Sequence, residues 1–339
     1  MVAQNPLVSF CVPTYGRAAF IQQTLESALA QTIEDFEVVV VDDCSPDNTG
    51  EIVARISDAR VRYVRNAENL GVPENLNRSM SLARGQYLVL LEDHDLLEPT
   101  YLQETLRVMN RYPSVGFVAT GLVVIDEHDV PREQYLNQLP EFTTGRMLLK
   151  RLLTRTTCPF SVTTLIRRSA TAGISPLFDA RYWWYADQGL WLRLAARADV
   201  GYVAHALLRF RTRETDHQLN GRDWESALCL DRIRREHWAL LHSKPSWRSR
   251  WDWLSYEVAK LRRTAMWRGG RILRAEPWTS EDTRYAEQYL SKPSRALLAA
   301  IGMFPTWAAA GCRKAWRWRM LSHRPEGNRA TSPTSPSSR

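Results

Sequence analysis

The sequence is short of the residues that staple or anchor a fold. Its five cysteines, Cys11, Cys44, Cys158, Cys229 and Cys312, are odd in number and far apart. No pair has CxxC spacing, so neither a zinc site nor a disulfide framework is indicated. That pattern fits a reducing cytoplasm. No GxGxxG follows the first predicted strand, and no GxxxxGK[ST] occurs anywhere. A glycine-rich dinucleotide site and a P-loop are therefore disfavoured. The N-terminus has no basic segment leading into an apolar one, so no secretory signal is expected. The longest weakly apolar stretch, Leu297 to Cys312, has 16 residues and contains Gly302, Pro305 and Gly311. As a helix it would reach about 24 Å, short of a roughly 30 Å hydrocarbon core, so it is not read as a membrane span. No internal repeat is visible. Tryptophan is missing from the first half: all 13 lie at or after Trp183.

What is present is enough for a substantial core. The chain has 339 residues, 44% of them hydrophobic, which suits one large domain or two smaller ones. The net charge of +8 is unevenly placed. Residues 244–324 hold 17 Lys+Arg against 6 Asp+Glu, whereas residues 1–243 hold 26 against 30. The basic character belongs to the C-terminal third.

The first part alternates strands and helices. Leu7 to Val12, Phe36 to Val41, Val61 to Val64, Tyr87 to Leu91 and Val115 to Ile125 read as strands. Helical spacing runs between them, through Phe20 to Leu29, Ile52 to Ile56, Pro73 to Ala83 and Pro99 to Arg111. Pro73 suits the first turn of its helix. This order predicts an α/β fold with a doubly wound, mainly parallel sheet and helices on both faces. Ligands of such sheets bind beyond the carboxyl ends of the strands. Three of those ends are polar: Thr14 with Tyr15, Asp42 with Asp43, and Glu92-Asp93-His94-Asp95. The last run follows an unbroken apolar strand. Hard oxygen ligands suit Mg²⁺ or Mn²⁺, so a divalent cation with a phosphate is one candidate for this cluster, and a solvated acidic turn is the other.

Beyond Asp126 the pattern loosens. A helix is expected around Met147–Leu153, a strand at Ser161 to Ile166, and an aromatic-rich loop at Phe178 to Tyr185. Leu190, Trp191 and Leu194 form a helical stripe with Asp187 near its N-terminus, where a carboxylate is favoured. Asp187 can be a simple helix cap or a functional carboxylate. A strand at Val200 to Phe210 leads to Arg211, Arg213 and His217, of which Arg211 or His217 can be a phosphate contact or equally a surface residue. From Trp224 onward the chain reads as basic helices, at Trp224–Leu241, Trp247–Trp267, Glu281–Leu290 and Ala296–Leu321. The run Lys314-Ala315-Trp316-Arg317-Trp318-Arg319 suits either an anionic membrane interface or a helix packed by its Trp face on the rest of the chain. A nucleic-acid surface is disfavoured because this charge sits on no recognised reader fold. Residues 324–339 are expected to be disordered.

Several ordered pieces of the chain resemble the family-2 inverting glycosyltransferases of the GT-A fold. Val8-Ser9-Phe10-Cys11-Val12-Pro13-Thr14-Tyr15 is similar to that family's opening strand and P-x-Y turn. Val39-Val40-Val41-Asp42-Asp43-Cys44-Ser45 resembles its V-D-D-x-S element. Asn69-x-Gly71, then Asn77, then Ala83-Arg84-Gly85-Gln86-Tyr87 match its N-x-G, N and A-x-G-x-Y series. Asp187 with Leu190-Trp191-Leu192-Arg193 is similar to its E-D-x-x-L-W-L-R segment. The resemblance covers about residues 6–215. The chain departs from it twice. Glu92-Asp93-His94-Asp95 stands where D-x-D-D is usual, and Ala186 stands where the acidic neighbour of Asp187 is usual.

The resemblance implies a cytoplasmic or peripheral membrane enzyme for surface polysaccharide assembly. Residues 1–222 would form the transferase domain, 223–323 a helical region able to meet an anionic membrane, and 324–339 a tail. Pro13, Thr14, Tyr15, Asp42, Asp43, Asn69 and Asn77 would shape the pocket of a nucleotide-diphosphate sugar donor, with Arg211 a further phosphate contact. Glu92, Asp93, His94 and Asp95 would supply the ligands of Mg²⁺ or Mn²⁺; Asp95 with either Asp93 or Glu92 is the preferred set. Asp187 would be the general base, and the acceptor a glycan or lipid-linked sugar. The alternative, with the metal site degraded at Glu92 and His94, is a non-catalytic nucleotide-sugar-binding or scaffold protein of the same fold.

Overall fold

The computed structural model describes residues 5–136, 139–154, 161–212, 223–241, 252–254 and 256–257. His217, Arg213, the tail at 324–339, the helices expected at 281–290 and 296–321 and most of that at 247–267 lie outside the described residues.

The strands are β1 (Val8–Thr14), β2 (Phe36–Asp42), β3 (Val61–Arg65), β4 (Tyr87–Leu90), β5 (Leu96–Leu97), β6 (Val115–Ile125), β7 (Pro131–Tyr135), β8 (Phe142–Thr143), β9 (Leu165–Arg167) and β10 (Asp199–Arg211). The helices are α1 (Ile21–Leu29), α2 (Thr49–Ala54), α3 (Val72–Leu82), α4 (Tyr101–Arg111), α5 (Gly145–Thr154), α6 (Ala186–Ala195) and α7 (Asp223–Leu241). They build one mixed sheet in the order β3-β2-β1-β4-β9-β6-β10-β5, with β7 on β6 and β8 on β10. The longest pairings, β1 with β2 and β6 with β10, are parallel. The short β9 is antiparallel to both β4 and β6 and joins the two parallel sets. It begins at Leu165 rather than Ser161, so the expected strand is shorter and later.

β1 lies between β2 and β4, parallel to both. Chain order reverses there, so the three carboxyl ends open a crevice at that point. All seven residues of β2 are buried, as a strand covered on both faces requires. Alternate residues feed two cores. Val8, Phe10, Val12, Val38, Val40, Val89 and Leu91 pack with α1 and α4. Cys11, Leu88 and Leu90 pack with α3, α5 and α6 on the other face. Each buried Val or Leu contributes about 1.5–3 kcal/mol of transfer free energy.

The Ala83-Arg84-Gly85 turn is fixed by a buried carboxylate. Glu37 accepts hydrogen bonds from Ser9 Oγ at 2.7 Å, Arg84 N at 2.7 Å and Arg84 Nη2 at 2.8 Å. These bonds hold its carboxyl below the usual range despite burial, the largest single influence, which raises it. Gly85 presses on β1: a Cβ there would lie 2.6 Å from Ser9 N.

Helix α7 packs Ile233 and Leu241 into the core formed by α5 and α6. Arg234 Nε donates to Leu152 O at 3.2 Å. The sequence placed this helix at the start of a separate region; its apolar face closes the core beneath α6.

Candidate active site

The three strand ends and the start of α6 enclose one cleft of about 500 Å³. Pro13, Thr14 and Tyr15 form one wall, Asp43 with Asn75 and Leu76 another, and Glu92, Asp93 and His94 the floor near Asp187. Tyr15 is 48% exposed, so its ring is free to meet a ligand.

Two neighbouring carboxylates at the end of β2 have different tasks. Asp43 lines the cleft and gathers the loop beyond β3, accepting from Asn66 Nδ2 at 2.7 Å, Leu70 N at 2.8 Å and Gly71 N at 2.9 Å. Asp42 is fully buried and does not line the cleft. It accepts from Arg65 Nη1 at 2.8 Å, Ser45 N at 2.8 Å and the Tyr63 hydroxyl. Asn69 is exposed, and its Oδ1 accepts from Gly71 N at 3.0 Å. Asn77 bonds both backbone groups of Phe178, at 2.7 and 2.9 Å, and so anchors the aromatic segment before α6. Neither asparagine lines the cleft. Asn75, which sequence reasoning passed over, does: it is buried and donates to Val41 O at 3.0 Å.

The 92–95 turn divides into two groups. Glu92, His94 and Asp95 can each bring one ligand atom within 4.8 Å of the others. Asp95 is fully buried; Oδ1 accepts from Arg211 N at 2.9 Å, while Oδ2 has no hydrogen-bond partner. An orphaned buried carboxylate oxygen is costly, and a cation would relieve it. Burial, reinforced by Glu92 and Asp93 against the opposing effect of His94, pushes the Asp95 carboxyl up. Burial lowers His94, but its Asp93 contact and the charges of Asp95 and Glu92 outweigh that and raise it to about 9. Asp93 is not one of these three and is engaged by protein. It meets Arg17 Nε at 3.4 Å, Tyr15 N at 3.3 Å and His94 Nδ1 at 3.0 Å.

Arg211 does not line the cleft. It is 1% exposed and sits beneath the turn, with Nε donating to His94 O at 2.8 Å, Nη1 to Asp129 Oδ1 at 2.6 Å and Nη2 to Gln23 Oε1 at 3.1 Å. Its neighbour Phe210 is the β10 residue at the cleft.

Asp187 occupies the second position of α6 and opens partly onto the cleft. Burial pushes its carboxyl up to about 6, opposed by contacts from Gln188 and the Trp191 indole and reinforced by Glu92. Ala186 beside it is buried and apolar, consistent with that desolvation. Trp191 stacks on Phe117 at a centroid distance of 5.3 Å, which fixes this end of α6 on the sheet.

A crevice at the carboxyl ends of parallel strands, with a carboxylate-rich floor and a separate, partly desolvated carboxylate, is the ligand site of an open-sheet α/β protein. The sequence comparisons narrow the class. Residues 9–173 match the model of glycosyl transferase family 2, and the chain belongs to that family. It is 28% identical over 250 residues to the putative teichuronic acid biosynthesis glycosyltransferase TuaG of Bacillus subtilis, covering 73% of this chain and 94% of that one. It is 27% identical over 221 residues to the Escherichia coli UDP-Glc:alpha-D-GlcNAc-diphosphoundecaprenol beta-1,3-glucosyltransferase WfaP, covering 59% and 78%. The crystal structure of S. aureus TarS 1–349 with UDP superimposes with a TM-score of 0.53 at 18% identity, covering 76% of this chain and 82% of that one. At that identity the likeness concerns the fold. Among the described residues, no helix is long and apolar enough to cross a membrane.

Proposed function

We propose that the chain is an inverting glycosyltransferase that moves a sugar from a nucleoside-diphosphate donor to a hydroxyl of a glycan or lipid-linked acceptor. The observation that carries this reading is the placement of Asp187 across one cleft from the Glu92-His94-Asp95 group. The donor's nucleoside lies along Pro13, Thr14, Tyr15 and Asp43. Its diphosphate lies over the 92–95 turn. Asp42, Asn69, Asn77 and Arg211 act from behind, holding the elements that bear these residues. UDP-linked sugars, UDP-GlcNAc among them, are the first donors to test, because TarS was crystallised with UDP and with UDP-GlcNAc. A diphosphoundecaprenol-linked sugar is the first acceptor, by analogy with WfaP.

Glu92, His94 and Asp95 fit a divalent cation, with an oxygen–nitrogen–oxygen set that suits Mn²⁺ at least as well as Mg²⁺. Such an ion, when bound, neutralises charge on the departing diphosphate. The chain's own chemistry is the proton transfer. The acceptor oxygen attacks the anomeric carbon, its bond to the diphosphate oxygen breaks, and Asp187 takes the acceptor's proton. With a base near 6, Asp187 is ionised at neutral pH and still holds a proton better than an ordinary aspartate. A single displacement inverts the anomeric centre.

Transfer from UDP-glucose or UDP-GlcNAc, followed by NMR of the product linkage, tests this reading. An α-donor is expected to give a β-product, and chelator or Asp95→Asn is expected to stop turnover. Retention of configuration, or full turnover in chelator, overturns it. Donor binding without transfer to any acceptor favours the non-catalytic alternative.

A further inference from the structure

Arg17 is the one lysine or arginine among the described residues lining the cleft. Four carboxylates line the same space: Asp43, Glu92, Asp93 and Asp187. A nucleoside diphosphate entering it carries further negative charge, so cation chemistry beyond one divalent ion is at a premium. Arg17 is placed to supply it. Its Nε lies 3.4 Å from Asp93 Oδ1, yet this buried nitrogen makes no hydrogen bond. Its side chain remains 25% exposed, toward the cleft. With Nε directed at Asp93, the exposed part of the side chain is open to an anionic oxygen, with which a guanidinium makes charge-assisted hydrogen bonds.

The backbone beneath Arg17 is set in advance. Three successive N–H groups are pinned to the turn after β2: Gly16 N to Ser45 Oγ at 3.0 Å, Arg17 N to Thr49 Oγ1 at 3.2 Å and Ala18 N to Asp47 Oδ2 at 3.1 Å. Gly16 turns the chain with φ of 65°, a conformation side chains other than glycine rarely adopt. Asp47 is itself fixed by Thr49 N at 3.1 Å. The polar turn at 45–49 thus holds the Arg17 loop rather than the ligand. A rigidly mounted cation loses little freedom on binding.

We propose that Arg17 binds the diphosphate of the donor, and that Asp93 is a positioning residue that holds Arg17 and His94 rather than a metal ligand. The proposal rests on the nucleoside-diphosphate reading above. In the cleft, Arg17 donates to the phosphate oxygens, beside the Glu92-His94-Asp95 group. Arg17 transfers nothing in the reaction.

The test is binding to the full chain with Mn²⁺, by calorimetry, of UDP, GDP, dTDP and ADP, each beside its monophosphate. Arg17→Met is expected to weaken the diphosphate that wild type binds by about tenfold to a hundredfold, the loss of a charge-assisted contact. Binding of the matching monophosphate, and of Mn²⁺ alone, should change by less than about threefold. Arg17→Lys should recover part of the diphosphate affinity, because the charge stays and the fork is lost. Equal loss for diphosphate and monophosphate, or no loss for either, overturns the assignment of Arg17. A wild type that binds none of the four diphosphates overturns the underlying donor reading as well, so the two failures are distinct. A thermal melt of each variant separates misfolding from loss of a contact. If Arg17→Met is too unstable to assay, the same comparison on Arg17→Lys decides.

Discussion

Replacing Asp187 by Asn should make the protein less active and more stable. The carboxyl is raised from an ordinary 3.8 to about 6, chiefly by burial. The sign follows from linkage. An acid whose folded value lies above its unfolded value penalises the folded state once it is ionised. The penalty is small below about pH 4, grows between about 4 and 6, and is complete above that. A displacement of this size corresponds to roughly 3 kcal/mol at full burial. Asp187 is partly open to the cleft, so screening by water reduces it to about 1–2 kcal/mol. Asn keeps the shape and removes the charge. At pH 7.5, in chelator, Asp187→Asn should therefore melt higher than wild type, by about 2–4 °C per kcal/mol. Near pH 4 the two should nearly coincide. Turnover should fall about 10²–10⁴-fold, the usual worth of a positioned base. In wild type the rate should climb with pH through about 6, and the variant's residual rate should lack that limb. Paired melting curves and initial rates across this range are the assay. Equal turnover removes Asp187 from the role of base. A variant less stable than wild type at pH 7.5 refutes the burial argument itself.

His94→Asp restores a carboxylate to the turn and should raise the ratio of kcat/KM with Mg²⁺ to that with Mn²⁺; an unchanged ratio removes His94 from the ligand set. Arg211→Met removes a buried guanidinium from His94 O, Asp129 and Gln23 and should cost about 3 kcal/mol in urea unfolding. Arg211→Lys should not restore it, because one ammonium cannot span that fork; full stability in either variant refutes the keystone role. Gly85→Ala drives a Cβ to 2.6 Å from Ser9 N and should destabilise by about 1–3 kcal/mol by overpacking; a neutral result means that β1 and the turn can part.

The fold was legible because several cues agreed over the first 125 residues. Apolar runs of strand length alternate with helical stripes, and the acidic runs Asp42-Asp43 and Glu92-Asp93-His94-Asp95 stand where strands leave the sheet. The antiparallel β9 was less legible. It is three residues long and takes its place from its neighbours rather than from its own pattern. The role of α7 was also hidden. Its charged residues are plain in the sequence, but which face meets α5 and α6 is decided by the partner surface.

The site was legible in composition and ambiguous by one residue. At the end of β2 the sequence offers two adjacent carboxylates, and side chains alternate along a strand. Asp42 shares the face of Val38 and Val40, which pack with α1. Its charge is therefore spent on Tyr63 and Arg65 beside that face. Asp43 falls on the other side and reaches the cleft. The same parity separates Phe210 at the cleft from Arg211 beneath the turn. A basic residue after a strand thus reads as a phosphate contact only if its register points outward. No such count was available for the 92–95 turn, which is not a strand, and there the partners decide. Asp93 is already satisfied by Tyr15 N and held against Arg17, while Asp95 keeps an oxygen free in a buried place. The departure from D-x-D-D therefore changes less than its letters suggest. The carboxylate lost at His94 leaves an imidazole in the same cluster, and Asp93, at the x position, is held against the neighbouring Arg17.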